Sequence, residues 1–379
     1  MNHRIFLSFP HPSGNEMHWI NEAFKDSWIV PLGPNVDHFE KQLEDYLGCG
    51  NVVALSAGTA AIHIGLVMLG VGKGDEVLCQ SFTFSASANP VLYQGATPVF
   101  VDSEPDTWNM SPEALEAAIT DRIKKTGKRP RAIVVVHLYG MPAKMDEILQ
   151  IADKYEIPVL EDSAEALGSE YNGGKCGTLG RYGVLSFNGN KVITTSGGGA
   201  LICPSKETAA HAKFLVTQAR EPKPYYYHKE IGYNYRLSNI CAGIGCGQME
   251  VINERVARRR EIHDLYVEGF KNMPEVKVKC NPDKRFNSNF WLSTITFDEK
   301  LNITPEDLRL HLESHNIESR WLWRPMNMQP IFADAPFYGD GTAEKLFNRG
   351  LCLPSGSVLT NEDIQTVINV VSSFIKSKR

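Results

Sequence analysis

One lysine stands out by its position near the middle of the chain. Lys191 lies four residues after a strand-like segment, residues 183–187, and six residues before three consecutive glycines, residues 197–199. These glycines and the apolar residues 200–202 indicate closely packed main chain, which would enclose the lysine side chain. An enclosed amine must be paired, neutral or covalently engaged, and a desolvated lysine can act as a nucleophile. An exposed loop lysine is the alternative that the sequence leaves open.

A turn of small residues precedes a helix-like segment earlier in the chain. The sequence SAGTA, residues 56–60, directly follows the apolar residues 52–55. The free N–H groups at the start of a helix, together with the hydroxyl group of Thr59, would suit a phosphate group. The simpler alternative makes Thr59 an ordinary helix cap and Gly58 a turn residue.

Acidic residues follow another apolar segment. The sequence EDSAE, residues 161–165, comes after residues 157–160 and places Glu161, Asp162 and Glu165 at the end of a predicted strand. A cation or a protonated ring should face carboxylates in this position. A solvated capping loop is the alternative, because Asp and Ser often begin a helix after a strand.

These three features together fit a single cofactor. Pyridoxal phosphate needs a phosphate site, a carboxylate that faces its pyridinium nitrogen and a lysine for its aldehyde. The sequence therefore predicts a pyridoxal 5'-phosphate site that includes Lys191 and Asp162. No metal site is predicted, since His311 and His315 could share a helix face but have no carboxylate or cysteine motif around them. The eight cysteines form no CxxC pair, which favours reduced thiols over disulfides.

The elements that must position these residues alternate between short apolar segments and longer helix-like ones. Five strand-like runs lie within residues 52–160, and they are nearly continuous in Val, Ile and Leu. Such runs are typical of parallel strands that are covered on both faces. We therefore predict an α/β fold with a mostly parallel central sheet, whose ligands bind beyond the carboxyl ends of the strands.

The character of the sequence changes near residue 250. The charged residues 250–270 indicate one long helix, and residues 305–315 and 361–375 are helix-like among shorter strand-like pieces. We predict a large cofactor-binding domain over residues 1–250, with an N-terminal arm, and a smaller α+β domain over residues 251–379.

The bulk composition excludes several classes of function. The chain has 379 residues, of which 42% are hydrophobic and 22% charged, and its formal net charge is −5. These values are typical of a globular protein and give no sign of nucleic-acid binding. The N-terminus lacks the apolar region of a signal peptide, and no segment approaches the roughly 18 apolar residues of a membrane span. We expect a cytoplasmic protein with no membrane or nucleic-acid partner.

Several ordered motifs carry a resemblance to a known family. They are GPNVDHFEKQLEDYLG, LSAGTAAIHIGL, SFTFSASANP, EDSAEALGS, SFNGNK, GYNYRLSN, RWLWRPMNMQP and GLCLPSGS. With these motifs, which extend over nearly the whole chain, the sequence resembles the nucleotide-sugar aminotransferases of the DegT/StrS group. The resemblance implies the fold-type I architecture of pyridoxal-phosphate enzymes, which is that of aspartate aminotransferase.

The resemblance also implies roles for individual residues. Lys191 would bind the aldehyde of the cofactor and later move the proton between the cofactor's C4' atom and the substrate carbon. Asp162 would keep the ring nitrogen protonated, so that the ring can accept carbanion charge. The other cofactor contacts would be Gly58, Thr59 and Ser186 at the phosphate, Phe84 on the ring, Glu165 near the ring hydroxyl, and Asn234 at the phosphate of the partner subunit's cofactor. A homodimer with shared active sites follows from the role of Asn234.

The last two motifs bear on the substrate. They look most like those of enzymes that aminate C4 of a UDP-2-acetamido-4-keto-2,6-dideoxyhexose with L-glutamate as donor. Arg324 is the candidate contact for an anionic part of the substrate, with a structural ion pair as the alternative. Asn188 and Asn190 either contact the substrate or only shape the turn before Lys191. Two departures leave contacts open, because many relatives have Gln or His in place of Glu165, and related enzymes often have His in place of Asn327.

Three other functions compete with this interpretation. The same chemistry at C3 of a dTDP- or UDP-linked 3-keto sugar is hard to separate by sequence. Dehydratases of the family replace the lysine with His, so Lys191 argues against that activity. A non-catalytic regulator on the same scaffold would have no need of Lys191, Asp162 and Ser186 together.

Overall fold

The computed structural model describes residues 3–378, so that residues 1, 2 and 379, at the ends of the two predicted domains, lie outside the described residues. Its strands are β1 (Val52–Leu55), β2 (Glu76–Gln80), β3 (Thr97–Val101), β4 (Ala132–Val136), β5 (Val159–Asp162), β6 (Glu170–Tyr171), β7 (Gly174–Lys175), β8 (Tyr182–Ser186), β9 (Gly199–Ile202), β10 (Val276–Val278), β11 (Phe286–Asn287), β12 (Ser293–Phe297), β13 (Arg320–Trp321), β14 (Phe337–Tyr338) and β15 (Gly350–Leu353). Its α-helices are α1 (Glu16–Lys25), α2 (Pro34–Leu47), α3 (Gly58–Met68), α4 (Asn89–Tyr93), α5 (Pro112–Thr126), α6 (Met145–Lys154), α7 (Lys206–Val216), α8 (Asn239–Met249), α9 (Ile252–Phe270), α10 (Pro305–Ser314), α11 (Thr342–Phe347) and α12 (Asn361–Lys376).

Eight strands form the central sheet. Their order is β1-β9-β8-β5-β4-β2-β3-β14. Every neighbouring pair from β8 to β14 is parallel, whereas β9 runs antiparallel to both β1 and β8. The predicted α/β fold with a mostly parallel sheet is confirmed.

Helices cover both faces of this sheet. Ile133 and Val135 of β4 pack in one apolar cluster with residues of α5 and α6, while Val134 packs in another cluster with residues of α3. Because successive side chains of a strand point to opposite faces, both faces must be apolar. The continuous run AIVVV is therefore buried throughout.

A second sheet is built from the C-terminal part of the chain. It has the order β10-β12-β15-β13 and shares an apolar cluster with residues of α9, α10 and α12. The short strand β14 leaves this region and pairs with β3 at the edge of the central sheet. The boundary at residue 250 stays a prediction.

The N-terminal segment crosses from the smaller sheet to the larger one. The N–H of Ile5 donates to the carbonyl of Asn316 at 3.0 Å, and the carbonyl of Leu7 accepts from the N–H of Ser355 at 2.7 Å. Helix α1 then packs against α8. This path brings residues 7 and 8 to the carboxyl end of the central sheet.

Residues 3–378 contain neither a membrane-spanning helix nor a metal-binding cluster of side chains. No helix in this range is long and apolar enough to cross a membrane. The same range contains no group of three or more His, Cys, Asp or Glu side chains that could hold a metal ion. The rings of His311 and His315 lie 4.6 Å apart on α10 and just beyond its end.

Candidate active site

A cavity of about 460 Å³ opens at the carboxyl ends of β1, β5 and β8. Nine of the eleven site residues predicted from the sequence line it. They are Gly58, Thr59, Phe84, Asp162, Glu165, Ser186, Asn188, Asn190 and Lys191. The other two, Asn234 and Arg324, are exposed and are not among the lining residues.

The lysine of the SFNGNK motif is enclosed. Its Nζ atom lies 4.1 Å from the centroid of the Trp291 ring and 3.2 Å from Oε1 of Glu165. Only 13% of the Lys191 side chain is exposed. The N–H of Lys191 donates to the carbonyl of Asn188 at 3.0 Å, which closes the turn that directs the side chain into the cavity. An exposed loop lysine is excluded.

The first carboxylate of the site belongs to Asp162. The sequence predicted a strand at residues 157–160 with Asp162 beyond it, and this was wrong, because β5 begins at Val159 and Asp162 is its last residue. The Oδ2 atom accepts a hydrogen bond from Oγ of Ser87 at 2.6 Å, and Oδ1 accepts from the N–H of Ala164 at 3.2 Å. Two donors thus fix a buried carboxylate at the base of the cavity.

Strand geometry sends Glu161 to the opposite side of the sheet. Its Oε2 atom lies 2.9 Å from Nε2 of His137 and accepts from the N–H of Gly177, while Oε1 accepts from the N–H groups of Leu179 and Gly180. Neighbouring residues of a strand face opposite ways, so Asp162 and Glu161 serve different surroundings. Both are buried, which excludes the alternative of a solvated capping loop.

The second carboxylate of the cavity belongs to Glu165. Its Oε2 atom accepts from the N–H of Tyr139 at 2.7 Å, and its Oε1 atom faces Lys191. Burial raises the pKa of Glu165 to about 7, although the Lys191 amine opposes this shift and the charge of Asp162 adds to it. The carboxylate of Glu165 is therefore hydrogen-bonded from both sides and titrates near neutral pH.

A helix N-terminus points into the cavity beside Ser186. Helix α3 begins at Gly58 after Ala57, and no side chain caps it. The simpler alternative, Thr59 as the cap, is therefore excluded. A Cβ atom on Gly58 would lie 2.9 Å from Cβ of Ser186, and one on Gly199 would overlap the main chain of Ala57 and Gly58. Glycine at both positions lets β8 and β9 approach the helix end, which leaves its N–H groups available to an anion.

Comparison with known proteins identifies the chain. A family model described as the DegT/DnrJ/EryC1/StrS aminotransferase family matches residues 12–372. The chain belongs to this family. It is 50% identical to EpsN of Bacillus subtilis (strain 168), named as a candidate pyridoxal phosphate-dependent aminotransferase, over 98% of this chain and 96% of EpsN.

Two further relatives agree with this family. The GDP-perosamine synthase of Caulobacter vibrioides is 38% identical to the chain over 98% of each protein. The crystal structure of a DegT DnrJ EryC1 StrS aminotransferase from Brucella abortus matches with a TM-score of 0.89 at 30% identity, covering 95% of each chain. The fold-type I architecture expected from the resemblance is confirmed. As a member of the DegT family, the protein is a pyridoxal-phosphate-dependent sugar aminotransferase.

The cavity of this aminotransferase fits pyridoxal phosphate. The open N-terminus of α3, with Ser186 beside it, suits the phosphate, and the amine of Lys191 projects into the same space. Asp162 offers a buried carboxylate whose negative charge suits a protonated ring nitrogen. These three groups could hold the cofactor, with Glu165 as a fourth polar group.

Aromatic residues line the mouth of the cavity. The ring of Phe84 is 58% exposed, and its centroid lies 5.5 Å from that of Trp323. Trp323 in turn lies 5.3 Å from Tyr139 and 6.2 Å from Trp291. The exposed face of Phe84 leaves room for a planar ligand to stack.

The two asparagines before the lysine form hydrogen bonds within and around the turn. The carbonyl of Asn190 accepts from Oγ of Ser8 at 2.8 Å and from Nε1 of Trp291 at 2.7 Å. Nδ2 of Asn188 donates to Oδ1 of Asn190 at 3.4 Å. These contacts show that both residues shape the turn, and their side chains also border the cavity.

The segment RWLWRPMNMQP contributes to the wall in a way the sequence did not predict. Arg320 and Trp323 line the cavity, whereas Arg324 is exposed outside its lining and its carbonyl accepts from Nε2 of Gln329. Asn327 does not line the cavity either, and its Oδ1 atom accepts a hydrogen bond from Oγ of Ser81 at 2.5 Å.

Six further residues in or beside the cavity, all distant from the lysine in the chain, were not predicted from the sequence. They are Leu7, Ser87, Tyr139, Trp291, Arg320 and Trp323. Ser87, Arg320 and Trp323 lie inside motifs that carried the resemblance, so the signal for them was present. No local pattern marks Trp291, which lies 100 residues after Lys191 and reaches it through the tertiary fold.

Proposed function

We propose that this aminotransferase transfers the amino group of L-glutamate to C4 of UDP-2-acetamido-4-keto-2,6-dideoxyhexose, and that it acts as a homodimer. The observation that carries the transamination is the convergence of the Lys191 amine, the Asp162 carboxylate and the open end of α3 on one cavity. The choice of sugar and carbon rests on the resemblance of the last two motifs. The amino donor and the dimer rest on the same resemblance.

The residues of the cavity have different proposed roles in the reaction. Bound pyridoxal phosphate supplies an aldehyde that carries the amino group and a ring that accepts an electron pair from the substrate carbon. Lys191 would hold the aldehyde, and its amine, once free, would move a proton between the substrate carbon and C4'. Asp162 would keep the ring nitrogen protonated, and Ser87 holds that carboxylate by its hydroxyl hydrogen bond.

The phosphate is assigned to the N–H groups at Gly58 and Thr59 and to the hydroxyl of Ser186. A helix N-terminus stabilises an anion without a charged side chain. Phe84, which lines the cavity, would offer its side chain for stacking on the ring. Asn234, which is exposed in one subunit, is proposed to contact the phosphate of the partner subunit's cofactor.

Arginine is well suited to bind the anionic part of a nucleotide sugar or of glutamate, because its guanidinium matches carboxylate and phosphate geometry. Arg320 lines the cavity, and its Nη2 atom lies 3.1 Å from Oε1 of Glu318, while Arg324 lies outside the lining. We expect Arg320→Ala to raise the KM of one substrate by about 10-fold or more. Arg324→Ala serves as the comparison, and half-reactions with glutamate alone and with keto sugar alone show which substrate is affected. If only Arg324→Ala raises a KM, the anion contact belongs to Arg324.

A panel of substrates tests the proposed reaction. Purified enzyme is incubated with L-glutamate and UDP-, GDP- or dTDP-linked 4-keto and 3-keto sugars, while 2-oxoglutarate is followed and the new amine is located by NMR. We expect the highest kcat/KM with UDP-2-acetamido-4-keto-2,6-dideoxyhexose and an amine at C4. GDP-linked sugars are included because one relative is named a GDP-perosamine synthase. An amine at C3 would establish the competing C3 activity, and no turnover of any keto sugar would contradict the proposal.

A further inference from the structure

A buried arginine lies behind the active-site lysine. Arg259 of α9 is 1% exposed. Its Nη1 atom donates to the carbonyl of Trp291 at 2.6 Å and to that of Ser355 at 3.0 Å. Its Nη2 atom donates to Oγ of Ser8 at 3.0 Å and to the carbonyl of Lys191 at 3.4 Å. One guanidinium thus joins four separate segments of the chain.

In the described part of the chain, no carboxylate balances this charge. Within residues 3–378, Arg259 forms no ion pair, all four of its acceptors are neutral oxygens, and its Nε atom has no hydrogen-bond partner. Burial lowers the pKa of Arg259 to about 9. Because apolar side chains of similar volume avoid the cost of burying a charge, packing alone does not account for a guanidinium here.

The hydrogen bonds of Arg259 converge on the turn that carries Lys191. Ser8, which Arg259 holds, donates to the carbonyl of Asn190, and so does Nε1 of Trp291. The ring of Trp291 is the surface against which the Lys191 amine rests. Arg259 therefore fixes both the main chain of the lysine and the aromatic face beside its amine.

We propose that Arg259 is a positioning residue for Lys191, which holds the lysine main chain and the Trp291 ring in the one arrangement that presents the amine to the cavity. The inference rests on the function proposed for Lys191. A displacement of about 1 Å in a reacting group can lower a rate by about 100-fold. Loss of the Arg259 hydrogen bonds should therefore lower kcat. The KM for glutamate should change little, because Arg259 does not line the cavity.

Two substitutions on one helix test this role. Arg259→Met removes the four hydrogen bonds of the guanidinium. Arg258→Met is the matched control, because Arg258 is the preceding residue on the helix and contacts Leu359 and Glu261 instead. We expect kcat to fall by about 10- to 100-fold in Arg259→Met, with partial recovery in Arg259→Lys. Arg258→Met should keep kcat within about twofold of the wild type.

A second readout does not depend on turnover. Cofactor-free protein is treated with an amine-modifying reagent below its melting temperature, and labelling of Lys191 is measured against the exposed Lys128 by mass spectrometry. We expect the labelling rate of Lys191 relative to Lys128 to rise at least about threefold in Arg259→Met, because a turn without the Arg259 hydrogen bonds exposes the amine more often. A merely structural role would lower the melting temperature but leave this ratio unchanged in the folded state.

The outcomes separate this inference from the proposed function. Wild-type kcat and labelling in folded Arg259→Met would overturn the positioning role. If Arg259→Met does not fold, Arg259→Lys decides, because one amine with three donors cannot reach all four acceptors. Wild-type kcat and labelling in Arg259→Lys would overturn the positioning role equally. If no keto sugar is a substrate, the proposed function fails, while the labelling result still decides whether Arg259 holds Lys191.

Discussion

Two carboxylates face the same cavity in different surroundings. Asp162 is fixed by a hydroxyl and a main-chain N–H, whereas Glu165 shares its oxygens between the N–H of Tyr139 and the amine of Lys191. Burial raises the pKa of Glu165 to about 7, so this carboxyl group can gain or lose a proton near neutral pH.

The titration of Glu165 should appear in the stability of the cofactor-free protein. Between pH 4.5 and about 7, the folded protein keeps a proton on Glu165 that the unfolded chain releases. The contribution of Glu165 to the free energy of unfolding is thus fully present below pH 4.5 and is lost as the pH rises through about 7. The free energy of unfolding of Glu165→Gln does not depend on this proton. From pH 4.5 to pH 7.5 we therefore expect it to rise by up to about 3 kcal/mol relative to that of the wild type.

Urea unfolding at pH 4.5 and 7.5 measures this difference. Glu22→Gln is the control, because the side chain of Glu22 lies exposed on α1. A difference between Glu165→Gln and the wild type that stays the same at both pH values would contradict the raised pKa.

At the scale of elements, the phosphate site depends on how closely α3 approaches β8. A Cβ atom on Gly58 would lie 2.9 Å from Cβ of Ser186, so Gly58→Ala must displace either the helix end or the strand end. We expect this substitution to weaken binding of pyridoxal phosphate by about 10-fold or more. Titration of cofactor-free protein, followed by absorbance, measures the affinity.

The control for this prediction is Gly50→Ala. A Cβ atom there would meet open space, and Gly50 lies before β1, outside the cavity lining. Equal affinities of Gly58→Ala and the wild type for the cofactor would show that the helix end does not hold the phosphate.

The site residues that the sequence could predict are those that lie at the ends of strands. Lys191, Asp162, Ser186 and the turn at residues 56–60 each follow or end a strand, and parallel strands bring such ends to one edge of a sheet. Trp291 and Ser8 come from segments whose place depends on long-range packing, for which no local pattern exists. Arg320 lines the cavity although the prediction named Arg324, because the motif marks the segment but not which arginine faces the cavity. The substrate contact of Arg324 stays a prediction.

At the scale of the molecule, the proposed dimer would share its active sites between its subunits. Helix α1 leaves apolar side chains exposed, with Met17 at 60% and Phe24 at 56%, and such surface favours contact with another protein. If Asn234 acts on the partner subunit's cofactor, each site needs residues from two chains. Mixed dimers can then recover activity that neither variant has alone.

Co-expression of Lys191→Ala with Asn234→Asp tests this arrangement. In a mixed dimer one site has both substitutions and the other has neither. Because half of randomly formed dimers are mixed, we expect about a quarter of wild-type activity from two nearly inactive variants. Activity no greater than the mean of the two variants alone would place Asn234 and Lys191 of one chain at the same site, and would contradict the shared site.

The most direct test of the whole account is the identity of the residue that binds the cofactor. The protein is loaded with pyridoxal phosphate, reduced with borohydride and digested, and the modified peptide is identified by mass spectrometry. We predict that the cofactor is fixed to Lys191 and that Lys191→Ala takes up none and has no transaminase activity. Cofactor fixed to a different lysine, or turnover by Lys191→Ala at the wild-type rate, would contradict it.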